Sequence, residues 1–100
     1  MNTKICRFMN AYRGKEVTED LFKLTQELVD GHNAAVKFGF LELPLVVWRR
    51  VDVVGQKVVV TVAPRAGFVE LDDLYNLKQA WGAECLEVCS DLGLTIQMTF

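Results

Sequence analysis

The sequence predicts a two-layer α+β domain, in which a small, mostly antiparallel sheet is packed by two long amphipathic helices. The sheet is a central hairpin plus a C-terminal strand. Three observations carry this. Residues 18–38 and 69–91 repeat apolar side chains at helical spacing, residues 45–63 hold two β-branched runs around a short turn, and residues 94–100 alternate apolar with polar. The chain of 100 residues forms a single α+β domain over 1–100.

The N-terminal stretch admits two readings. Ile5, Phe8, Met9 and Tyr12 recur at i, i+3, i+4 and i+7, which favours a short helix ending at Gly14 and the order ααββαβ. Read as a strand over residues 3–9, the same stretch would make the order βαββαβ, the ferredoxin-like arrangement.

Over residues 18–38, Leu21, Phe22, Leu24, Leu28, Val29, Ala35 and Val36 share one face, with Lys23, Gln26, Glu27, Asp30 and Lys37 opposite. Thr18 is placed to cap the N-terminus, Glu19 and Asp20 suit its positive end, and Gly39 suits a stop. The face stays in phase through Gly31. Leu45 to Val53 and Lys57 to Ala63 read as hairpin strands bounded by Pro44 and Pro64, with Val54-Gly55-Gln56 as the turn. The non-alternating Val58-Val59-Val60 points to a strand covered on both faces.

From residue 69 to 91, Leu71, Leu74, Tyr75, Leu77, Trp81, Cys85, Leu86, Val88 and Cys89 cover nearly half a helical wheel, behind an acidic first turn of Glu70, Asp72 and Asp73. After Gly93, Leu94, Ile96, Met98 and Phe100 alternate with Thr95, Gln97 and Thr99 as a strand.

Apolar residues make up 51% of the chain and mean hydropathy is +0.18, more apolar surface than one small core is expected to hide. Net charge is −2, so a generalised nucleic-acid-binding surface is disfavoured. The three cysteines, Cys6, Cys85 and Cys89, match no secreted disulfide framework and fit a reducing, cytoplasmic setting. No stretch reaches the ~20 apolar residues of a membrane span.

Few residue patterns point to chemistry. His32, the only histidine, lies centrally on an apolar helix face; a general base or metal ligand is conceivable there, but a hydrogen-bonded core histidine is expected. Cys85 and Cys89, one helical turn apart in this reading, would make a Cys₃His zinc set with Cys6 and His32, yet nothing delivers the other two ligands; buried structural cysteines and no metal are expected. Lys78 falls on the same apolar arc and reads as a snorkelling lysine rather than a base. Pro64-Arg65-Ala66-Gly67 before the second long helix is a poor anion loop, because acids occupy that helix start. Arg49 and Arg50 should face opposite sides of their strand, leaving Trp48 and Arg50 together, with Lys57 across the hairpin, as a possible stacking and phosphate-binding face.

With no catalytic constellation and no cofactor motif, the expected function is stoichiometric protein–protein binding by a non-enzymatic module of adaptor or inhibitor type, a kind that phages and mobile elements often encode. A homodimer is expected. Tyr12, Arg13, Trp48 and Arg50 are the candidate partner contacts. The alternative is an RNA- or DNA-binding module using Lys4, Arg7, Arg50 and Lys57; a second is a ligand-binding domain or enzyme using His32 or Lys78.

Overall fold

Thr18 opens the first long helix as expected: its Oγ1 accepts from Leu21 N at 3.1 Å. The computed structural model describes residues 3–100, in the order ααββαββ: α1 Thr3–Ala11, α2 Glu19–Lys37, β1 Val46–Val54, β2 Lys57–Pro64, α3 Leu71–Trp81, β3 Cys85–Cys89 and β4 Thr95–Thr99. The N-terminal segment is the helix, so the ferredoxin-like order does not form. Gly39, at φ 81°, follows the end of α2.

The four strands form one antiparallel sheet in the order β1-β2-β4-β3. The β1–β2 turn is Gly55-Gln56 alone, with Val54 paired to Lys57 and both turn residues at positive φ, 57° and 65°. All three helices lie on one face. Val58, Val60 and Val62 of β2 and Ile96 and Met98 of β4 meet Ile5 and Met9 of α1, Leu21, Leu28 and Val29 of α2, and Leu77 and Trp81 of α3 in a single core. The opposite face is open. No helix among the described residues is long and apolar enough to cross a membrane.

The helix expected over 69–91 is shorter. It ends at Trp81, and residues 85–89 form β3 instead. Gly82 adopts the left-handed conformation at φ 67°, ψ 30°, and Ala83 N donates back to Lys78 O at 3.1 Å, closing the helix. β3 then pairs along β4, covering an edge that would otherwise be unpaired. Leu86 and Val88 turn to the helix side, and Cys85, Glu87 and Cys89 to the open side. A Gly82→Ala variant is expected to lose about 1–2 kcal/mol, because alanine is strained at this φ; urea denaturation measures it.

Candidate functional site

Inward-facing residues of β1 change parity along the strand. Val46 is buried and Trp48 faces α2, whereas Val51 and Val53 are the inward residues further on. The register explains the change: Trp48 pairs with Val62 but Arg50 pairs with Thr61, leaving Arg49 as the extra residue of a β-bulge. The bulge turns Arg49 and Arg50 to the same, open face. The expectation that they face opposite sides is therefore corrected, as is the pairing of Trp48 with Arg50, which lie on opposite faces.

Both arginines line a cavity of about 660 Å³ on the open face, together with Arg65 from the loop after β2. Thr61, Ala63, Thr95 and Gln97 form its sheet wall, and the β3–β4 loop, Asp91 to Leu94, forms the other side. Arg50 Nε pairs with Asp52 at 3.0 Å. Arg49 and Arg65 make no side-chain hydrogen bond or ion pair to any described residue. The carboxylate on the wall, Asp91, accepts from Cys89 Sγ at 3.5 Å.

The floor holds an unsatisfied group. The buried polar residues of the described chain are Thr25, His32 and Thr61. Thr25 Oγ1 donates to Phe22 O at 3.0 Å and accepts from Trp48 Nε1 at 3.0 Å. His32 is likewise saturated. Thr61 Oγ1 has no hydrogen-bond partner among the described residues, although Thr61 is only 4% exposed.

His32 is buried in the core with both ring nitrogens hydrogen-bonded. Trp81 Nε1 donates to its Nδ1 at 3.0 Å, which places the ring proton on Nε2, and Nε2 donates to Pro44 O at 2.9 Å. The rings of His32 and Trp81 meet edge to face, centroids 5.5 Å apart. Burial pushes the imidazole pKa down from 6.5 against a smaller upward pull from the Pro44 bond. Lys78 lies half-buried in the last turn of α3, where a cation suits the helix dipole.

Cys85 and Cys89 are not a helical pair. They lie on the open sheet face, His32 is in the core beneath the other face, and Cys6 is half-buried on α1, so the four do not converge. Burial also pushes the Cys6 thiol up. No group of three or more His, Cys, Asp or Glu among the described residues could hold a metal ion.

The remaining candidates have these surroundings within the chain. Tyr12 donates to Glu16 O at 2.6 Å and its ring lies over Gly14, where a Cβ would come within 2.4 Å of the hydroxyl. Arg13 Nη1 donates to Asn10 O and Tyr12 O, each at 2.8 Å, capping the end of α1. Trp48 packs edge to face on Phe22, centroids 4.9 Å apart. Lys57 pairs with Glu84 and holds that carboxyl below its ordinary range through the hydrogen bond. Lys4 and Arg7 are exposed on α1. Of the proposed nucleic-acid contacts, Arg50 lies on the open face, and the alternation of β2 places Lys57 on the same side, where it is paired with Glu84. Among the described strand residues on that face there is no aromatic side chain on which a base could stack.

Sequence reasoning missed Arg49, Arg65 and Thr61 as a group. A bulge leaves little trace in a strand without glycine, and only the parity of inward residues across Trp48 and Val51 marks it. Compared with known protein families, curated proteins and solved structures, the chain matches none.

Proposed function

We propose that the protein is a non-enzymatic module that acts by stoichiometric protein binding, and that two copies associate through the outer face of α3. The observation that carries this is an apolar strip left uncovered beside a well-filled core. Leu71 and Tyr75, one helical turn apart, are 84% and 65% exposed, and Phe68 just before the helix is 65% exposed. Exposed apolar side chains so close together mark an interaction surface, and a tyrosine such as Tyr75 is a usual anchor of an interface.

Charge supports a second copy as the occupant. Glu70, Asp72 and Asp73 surround the strip, whereas residues 1–15 carry Lys4, Arg7, Arg13 and Lys15 and no acid. Two-fold pairing sets the acidic strip of one copy against the basic segment of the other. Light scattering tests this. The native chain is expected to have the mass of a dimer at micromolar concentration, and Leu71→Asp/Tyr75→Asp that of a monomer with unchanged circular dichroism. A native monomer throughout the micromolar range would contradict the proposal.

A further inference from the structure

We propose that the cavity on the open sheet face binds the oxyanion group of a small molecule, a phosphate or a carboxylate, with Arg49 and Arg65 as its cationic contacts and Thr61 on its floor. Three arginines line the cavity against one carboxylate, Asp91, which already accepts from Cys89. Arg50 pairs with Asp52, but Arg49 and Arg65 make no ion pair with any described acid, so the cavity carries an excess of positive charge over Asp91. Guanidinium groups present forked donors that match the paired oxygens of carboxylate and phosphate. The cavity is open to solvent, and its volume of about 660 Å³ leaves room for a molecule larger than a bare ion.

Thr61 is the second, independent sign. A threonine hydroxyl on a central strand is expected to find a partner, since a buried polar group without one destabilises the fold. Valine would fill the position at similar volume without that penalty. The hydroxyl is instead placed between Arg50 and Gln97, its cross-strand neighbours on the open face. Both are long and flexible, so rotation of either opens the hydroxyl to a ligand oxygen. The bulge serves the same site, because it sets Arg49 and Arg50 on one face where unbroken alternation would put them on opposite faces.

The test is an amide NMR titration of the full chain with inorganic phosphate and with succinate, each against sodium chloride at matched ionic strength. Saturable shifts at Arg49, Thr61, Arg65 and Leu94 with phosphate, succinate or both are expected, and which probe saturates identifies the group. Arg49→Gln and Arg65→Gln should each weaken binding about tenfold or more. Thr61→Val should weaken binding and raise Tm, a split that a purely structural threonine would not produce. Shifts matched by chloride would overturn the proposal, as would a Thr61→Val variant that binds normally. Saturation by a poly-glutamate peptide but by neither small anion would also overturn it and assign the face to an acidic protein segment. The Leu71→Asp/Tyr75→Asp variant should bind the probes like the native chain, so the two proposals fail separately.

Discussion

Trp81→Ala is expected to destabilise the protein by about 3–5 kcal/mol, a large share of what a domain of this size possesses. Trp81 is fully buried, packs among core side chains from helices and sheet, and supplies the hydrogen bond to His32 Nδ1. Trp81→Phe separates the two roles. It keeps most of the ring volume but leaves Nδ1 buried without a donor, and should lose about 1–3 kcal/mol. Urea denaturation measures both; a Phe variant as stable as the native chain would contradict the role given to the hydrogen bond.

The same pair makes stability depend on pH. The folded-state pKa of His32 is depressed below 6.5, so the unfolded chain binds the proton more readily. Its contribution is fully present above the unfolded value and is lost as pH falls below about 6.5. The chemistry agrees: protonation of Nδ1 would set two donors, the imidazolium and the Trp81 indole, against each other. A His32→Gln variant should lose stability at neutral pH and flatten this acid-side slope.

Asn33→Ala is expected to lose about 2–3 kcal/mol, because it removes two hydrogen bonds to one strand residue. Asn33 Nδ2 donates to Val46 O at 2.7 Å and Oδ1 accepts from Val46 N at 2.9 Å, as a neighbouring strand would. Since β1 is an edge strand, this amide ties its first residue to α2. Asn33→Asp keeps the acceptor but sets a carboxylate against the Val46 carbonyl, so it should rescue little. Faster hydrogen exchange at the Val46 amide in both variants, with the amides of β4 unchanged, is the expected signature.

Most of the fold was legible because its signals were local. Thr18 and Gly39 mark the ends of α2, and Leu94 to Phe100 alternate as a strand must. The failure at residues 82–89 is equally physical. Gly31 and Gly82 both interrupt a helical apolar face, yet only Gly82 adopts positive φ; Gly31 stays within α2 and is exposed. The segment Cys85-Leu86-Glu87-Val88-Cys89 satisfies both periods, and pairing with β4, a tertiary interaction, selects the strand. The candidate site was less legible still. Arg50 was singled out as a contact residue, but the residues that line the cavity beside it are gathered by a bulge, a loop after β2 and a hairpin loop. His32 was read correctly as a core residue, whereas its partners Trp81 and Pro44 are 49 and 12 residues away and could not be named from spacing.

Protein binding through the outer face of α3 is tested most directly by amide NMR of the native chain as a function of its own concentration. Shift changes are expected at residues 67–76 and in the basic N-terminal segment as the dimer fills, and none at Phe38 to Leu41. Spectra independent of concentration at monomeric mass, or changes confined to Phe38 to Leu41, would contradict it.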